Sequence, residues 1–219
     1  MRALSLLAVG VLTAGAHAGL SGNSQTYTDS TDDLFDNGFA NLDIGTVSMS
    51  DDGVNLTISV ETRGFANWTK YMIFLDTKAG GTTSNAWSRP VNLTSEIDYF
   101  VGSWVDQSSN NAQFVGYTGG AWDWGGVSTL SNSVSGNFVS WTISLASLGL
   151  SGGETIYFDV ATSGGGNDPG VDHLSRNDQA TSGWGSASTS GSFLAYTTVP
   201  TPGAIALLGL AGLAGRRRR

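Results

Sequence analysis

Between residues 54 and 61 the chain alternates without a break: Val54, Leu56, Ile58 and Val60 are apolar, and Asn55, Thr57, Ser59 and Glu61 are polar. Successive side chains of an extended strand point to opposite faces, so a period of two describes a strand with one buried and one wet face. An antiparallel sheet can leave one face wet in this way. Just before it, Leu42 and Ile44 keep one phase and Val47 and Met49 the other, which places a β-bulge at Gly45 and Thr46. Ser50-Asp51-Asp52-Gly53 closes the hairpin, Gly53 supplying the positive φ that such turns need. Tyr71 to Leu75 is apolar on both faces and suits a central strand. Further strands are expected at Ile97 to Val105, Ala112 to Tyr117, Phe138 to Leu145, Thr155 to Ala161 and Ser192 to Thr198, each bounded by Gly, Ser or Asn. The helical hint at Leu145 to Leu148 is a single turn, too short for a stable helix. The expected fold is all-β, an antiparallel β-sandwich of eight to nine strands.

The two ends of the chain read differently. Arg2, the apolar run Ala3 to Ala14 and the small residues Ala16 and Ala18 around His17 form a signal peptide over residues 1–18, directing the chain to the Sec export machinery and leaving Gly19 as the mature start. At the other end, residues 199–219 read VPTPGAIALLGLAGLAGRRRR. Ala204 to Gly215 are all Ala, Ile, Leu or Gly, and the stretch from Val199 reaches the short end of what spans a bilayer as a helix. Pro200 and Pro202 stop that helix from running into the domain, and the terminal arginines hold its far end in the cytoplasm. One domain, residues 19–198, is left between the two segments.

Removing those segments takes away Arg2 and Arg216 to Arg219, so the body keeps five Lys plus Arg against eighteen Asp plus Glu, a net charge of −13. Such a body is repelled by nucleic acid, which is therefore not an expected partner. There is no cysteine, which excludes disulfide staples, thiol chemistry and thiolate metal sites. Stability has to come from a packed core.

The order of Pro200-Thr201-Pro202-Gly203, the apolar run and Arg216, Arg217, Arg218 and Arg219 resembles the PEP-CTERM sorting signal of bacteria. Thr201 stands where the commonest form has glutamate. The resemblance implies an exosortase-type enzyme as partner, transient insertion of the tail in the inner membrane, and delivery to the cell surface or extracellular matrix. A tail that is kept as a plain anchor would place the protein on the same side of the same membrane. Within the domain, the runs TyrMetIlePheLeuAspThr (71–77), AsnAlaTrpSerArgPro (85–90), AspTyrPheValGlySerTrpValAsp (98–106), IleSerLeuAlaSerLeuGlyLeu (143–150) and TyrPheAspValAlaThrSerGlyGly (157–165) resemble the bacterial DOMON-like domains, which are similar to family-nine carbohydrate-binding modules. This resemblance implies an immunoglobulin-like sandwich that binds a sugar, or in some relatives haem, at one edge. It does not imply catalysis.

Catalytic groupings are weak in the sequence. Gly149-Leu150-Ser151-Gly152-Gly153 has the letters of a nucleophile elbow, but a strand follows where that motif needs a helix. His173 is the one histidine outside the signal peptide; with Asp172 beside it and a serine it could form a triad, and the plain alternative is a solvated loop histidine. Asp98, Asp106, Asp123 and Asp159 could pair for glycoside cleavage, against the ordinary role of aspartates in turns. A haem would have to draw its axial ligands from His173, Met49 and Met72. No catalytic residue and no cofactor is expected. Gly164-Gly165-Gly166-Asn167-Asp168 echoes a calcium-binding glycine repeat, but a single copy cannot build the stacked sites such repeats use; loop carboxylates and carbonyls could still hold calcium.

Tryptophan is the feature folding explains least. Trp141 alternates in step with Val139 and Ile143 and belongs to the core, as does Trp104. Trp68, Trp87, Trp122, Trp124 and Trp184 lie in segments rich in Gly, Ser, Asn and Asp, where an indole serves either as a plug over the sheet ends or as a platform for the flat face of a sugar ring. Trp87 with Asn85 and Arg89, joined by Asp98, is the expected sugar site, and Trp122 with Trp124 is the next. The expected function is therefore that of an exported, non-catalytic surface or matrix protein that binds extracellular polysaccharide. The alternatives are a structural matrix protein without a defined ligand, a haem-binding domain and a glycoside-active enzyme.

Overall fold

The computed structural model describes residues 22–106 and 111–200. Residues 1–18, where a signal peptide is expected, and residues 201–219 of the expected sorting tail lie outside the described residues. Among those described, no helix is long and apolar enough to cross a membrane. Thirteen strands run in the order β1 (Asn23–Thr28), β2 (Ile44–Asp51), β3 (Asn55–Thr62), β4 (Lys70–Asp76), β5 (Val91–Asn92), β6 (Tyr99–Trp104), β7 (Asn111–Gly116), β8 (Ser128–Ser135), β9 (Phe138–Ser144), β10 (Thr155–Ser163), β11 (Asp172–His173), β12 (Ser188–Thr189) and β13 (Leu194–Thr197), with a single 3-10 turn at Leu145–Leu148. The fold is all-β.

Eleven of these strands form one large curled antiparallel sheet in the order β1-β2-β3-β9-β8-β7-β6-β4-β10-β11, with β13 also paired to β10. The curl turns at β8, which pairs with β7 through Ser128 to Ser131 and with β9 through Asn132 to Ser135. A strand that changes partner midway is how a sheet makes a corner. Its two halves then face each other, and Ile58 and Val60 of β3, Trp141 of β9, Tyr71 and Ile73 of β4 and Phe158 of β10 share one core. Tyr71 meets Trp141 at 5.4 Å between ring centroids, and Tyr27 meets Phe158 edge-on at 5.0 Å.

The strand with two apolar faces lies in the middle, as expected: β4 sits between β6 and β10. Tyr71, Ile73 and Leu75 point into the main core, while Met72 and Phe74 point outward into a second cluster with Ala86, Val91, Leu93 and Ile97. That outer cluster is covered by the connection from β4 to β6 and by the segment after β10, which the short parallel pair β5-β12 ties together. The bulge before β3 is also in place, the register shifting between Ile44 and Thr46. Gly53 has a φ of 80°.

Three expectations need correcting. Val54 is 58% exposed, because it belongs to the turn: its amide donates to Asp52 Oδ1 and its carbonyl accepts from Leu145, so the ladder starts at Asn55. The count of eight to nine strands was too low because β5, β11 and β12 are only two residues long and β1 (NSQTYT) and β8 (STLSNSVS) carry almost no apolar residues. β1 pairs with β2 alone, and β8 makes the exposed corner, so neither has the half-buried surroundings that produce alternation. His173 is fully buried, not solvated.

The face assignment of β3 has a sharp consequence. Ile58→Asp puts an unpaired charge into the main core, a change that costs several kcal/mol, whereas Thr57, whose hydroxyl meets that of Thr142 on the outer face, takes the same substitution at a cost of about 0.5 kcal/mol. Thermal melts should show Ile58→Asp unfolded and Thr57→Asp folded; similar melting of the two would mean that the faces are reversed.

Candidate functional site

The structure brings Asn85, Trp87 and Arg89 together but spends their polar groups inside the protein. Asn85 is buried; its Nδ2 donates to the Arg89 carbonyl at 2.9 Å and its Oδ1 accepts from the Arg89 amide at 3.0 Å. Arg89 Nη1 donates to Ser163 Oγ at 2.7 Å and to the carbonyls of Gly164 and Asp168, and burial pulls the guanidinium below its ordinary pKa. Trp87 lies over Gly102, where a Cβ would fall 2.2 Å from its ring, and its indole N–H donates to Gln113 at 2.7 Å. It also meets Phe100 edge-on at 5.3 Å. Asp98 is buried and accepts from the amides of Thr77 and Lys78, closing the turn after β4. These residues knit the outer cluster. Sequence reasoning saw the right residue types near one another, but it could not see that their partners were each other and the backbone.

Trp122 packs on Tyr117 at 5.5 Å, and Trp124 next to it is 45% exposed. Asp98 and Tyr117 line an open cleft of about 480 Å³ with Lys78, Glu96 and Thr118.

A group that sequence reasoning did not assemble occupies the opposite end of the sheet. The connection from β1 to β2, residues 29–43, reads DSTDDLFDNGFANLD. Its Phe35 and Phe39 both meet Trp184 edge-on at 5.1 Å, and Phe39 also meets Trp68 at 6.2 Å. The four rings form a row ending at Trp68, which is 37% exposed, and Leu34, Leu42 and Val171 pack beneath it. Phe65 in the same turn as Trp68 is 42% exposed. The signal was present as two phenylalanines in a polar loop, but the rings they meet come from positions more than 25 residues away in one case and more than 140 in the other.

The same connection carries acids. Asp33, Asp43 and Asp172 each offer a carboxylate oxygen, and these lie within 4.8 Å of one another, the one group among the described residues spaced to hold a metal ion. Asp172 opens β11; its Oδ2 accepts from the Ile44 amide at 2.7 Å, joining opposite ends of the sheet order. Burial, with the charges of Asp172 and Asp33, pushes the Asp29 carboxyl up to about 9. Burial likewise raises Asp33 and Asp43, and Asp172 well above the usual carboxylate range. Arg63 Nη1 reaches Asp43 Oδ2 at 3.0 Å and also pairs with Asp32.

His173 does stand in a Ser-His-Asp arrangement, with Asp159 in place of its neighbour Asp172. In the extended β11 the two point opposite ways, as the alternation implied. His173 Nδ1 lies 2.7 Å from Asp159 Oδ2 and Nε2 lies 3.1 Å from Ser188 Oγ. All three residues are fully buried, and Asp159 Oδ1 accepts from the amides of Val160 and Ser175. A Cβ at Gly170 would sit 2.4 Å from Nε2, so backbone seals the ring against any substrate. The set fastens the outer segment to β10. The elbow-like serine is equally local: Ser151 Oγ donates to Glu154 at 2.6 Å in the glycine turn before β10. Met49 and Met72 are buried in different clusters, on opposite sides of the sheet.

Compared with known proteins, the chain matches no protein-family model, no curated protein and no solved structure.

Because Trp87 fills the space over Gly102, Trp87→Ala should lower stability by about 2–4 kcal/mol, measured by denaturant or thermal unfolding. Unchanged unfolding would show the indole to be an expendable platform.

Proposed function

We propose that this chain is an exported, non-catalytic surface or matrix protein whose domain contacts extracellular polysaccharide through the aromatic row ending at Trp68. In this reading the curled sheet is the immunoglobulin-like β-sandwich that the DOMON-like resemblance implies, and the tail is an exosortase-type sorting signal. The observation that carries the proposal is the row itself. An indole exposed on one face and braced edge-on by a phenylalanine is held rigidly, so little conformational entropy is lost when the C–H face of a sugar stacks on it.

The path of the chain agrees with this orientation. Asn23 pairs with Asp51, and the Val199 amide donates to Asp51 Oδ1 at 3.0 Å, so both ends of the described domain emerge beside the β2-β3 turn. The row lies by the other end of β2, eight residues or about 26 Å away. A tail held in the inner membrane therefore leaves Trp68 facing outward. The acidic body favours a neutral or basic glycan over an anionic one. Weak binding is expected, since sugar hydroxyls exchange water for protein at little net gain per hydrogen bond.

Tryptophan fluorescence and calorimetric titration with a panel of neutral glycans test the site. Trp68→Ala should weaken binding by about tenfold or more with the melting temperature nearly kept. Loss in Trp124→Ala alone would move the contact to the Trp122-Trp124 loop, and no binding by the unaltered chain would leave a structural role without ligand in its place.

The sorting reading has its own test. Protein recovered from the producing bacterium should begin at Gly19 and end between Pro200 and Gly203 by intact-mass measurement. Protein still carrying Arg216 to Arg219 in the envelope would mean a retained anchor.

A further inference from the structure

The acids beneath the aromatic row are arranged in a way that folding alone does not account for. Buried carboxylates normally find donors, because each unsatisfied oxygen carries its full desolvation cost. Here several do not. Asp43 is fully buried, and its Oδ1 has no partner. Asp29 is 6% exposed, and its Oδ2 has none. Both oxygens of Asp33 are shut off from solvent without a donor. The remaining oxygens are held in place by the backbone: Asp29 Oδ1 accepts from Ser30, Asp43 Oδ2 from Asp32, and Asp172 from Ile44 and His173. Each of Asp29, Asp43 and Asp172 is thus fixed by at least one main-chain bond, while Asp29 and Asp43 each keep an oxygen free.

We propose that Asp33, Asp43 and Asp172 form a binding site for one divalent cation of the calcium type. Three carboxylates offer only hard oxygen donors, the set that Ca²⁺ prefers, and the chain has no thiolate to attract a softer ion. Opposed oxygens in a calcium shell, at about 2.3–2.6 Å from the ion, stand about 5 Å apart. The oxygens of Asp33, Asp43 and Asp172, all within 4.8 Å of one another, therefore fit one shell without rearrangement. The groups facing the cluster are Arg63, which is shared between Asp43 and the outlying Asp32, and the acids Asp29, Asp159 and Asp178. One guanidinium at the rim does not balance these acids.

The position also gives the ion something to do. Residues 29–43 carry both the ligands and the rings of Phe35 and Phe39, and Asp172 belongs to the opposite end of the sheet order. An ion at this place ties the β1-β2 connection to β11 and seats the loop that supports Trp68. The ion needs only the carboxylates, so its binding is independent of any glycan.

The test uses the purified full-length chain, stripped with a chelator and then titrated with Ca²⁺, and separately with Mg²⁺, by calorimetry and thermal melts, with native mass spectrometry for stoichiometry. The expected result is one Ca²⁺ per chain and a melting temperature raised by about 5–10 °C at roughly a hundredfold excess over Kd. Asp33→Asn is the decisive variant, since neither oxygen has a protein partner to lose. It should melt higher than the unaltered chain in chelator, because one of the opposed charges is gone, yet bind Ca²⁺ at least about tenfold more weakly. Asp36→Asn, in the same loop but outside the cluster, should bind as the unaltered chain does. Absence of any heat or melting shift with either ion would overturn the proposal, and so would an unaltered affinity in Asp33→Asn.

Discussion

Everything in this molecule depends on β4 being buried on both faces. Its inward residues Tyr71, Ile73 and Leu75 can be covered only if the sheet curls far enough for β3 and β9 to reach them, and the contact of Tyr71 with Trp141 is where the two halves meet. Its outward residues Met72 and Phe74 need a second cover, which the sheet itself cannot supply. Long connections do that work, bringing Ala86, Val91, Leu93 and Ile97 over the outer face. Burial of such side chains contributes about 1.5–3 kcal/mol each, and without cysteine there is no other large source of stability.

Covering a sheet with loops carries an electrostatic cost, because loop backbone has no ladder to satisfy it. The protein meets that cost with buried polar groups. Arg89 takes up the carbonyls of Gly164 and Asp168, Asp98 the amides after β4, and the His173-Asp159-Ser188 set joins β11 and β12 to β10. These resemble catalytic or binding constellations when read as residue types. In place they bond protein partners and fasten the loops to the sheet. The acid cluster at residues 29–43 differs, since Asp29, Asp33 and Asp43 each keep at least one buried oxygen without a donor.

The two ends of the sheet divide the labour. One gathers the chain's entry and exit around Asp51, which accepts from Gly53, Tyr196 and Val199. The other gathers aromatic rings and acids on the connection from β1 to β2, which is far longer than two antiparallel neighbours need. Rigid strands between them keep the aromatic row away from the point where the chain enters and leaves the described domain.

What the sequence determined by itself is whatever depends on near neighbours. The alternation of β3, the bulge at Gly45, the turn at Gly53, the double-faced β4 and the single 3-10 turn could all be read directly, because period and turn chemistry are local properties of the chain. Polar strands such as β8 escaped, since a corner strand has no buried face to write into its composition. The tertiary structure alone decided which polar groups were already spent and which were left over. Asn85, Arg89, Asp98 and His173 bond to partners up to 79 residues away, as between Arg89 and Asp168. Asp43 and Asp172 come together across 129 positions, because hydrogen-bond satisfaction and the meeting of like charges depend on distances in space that no spacing along the chain records.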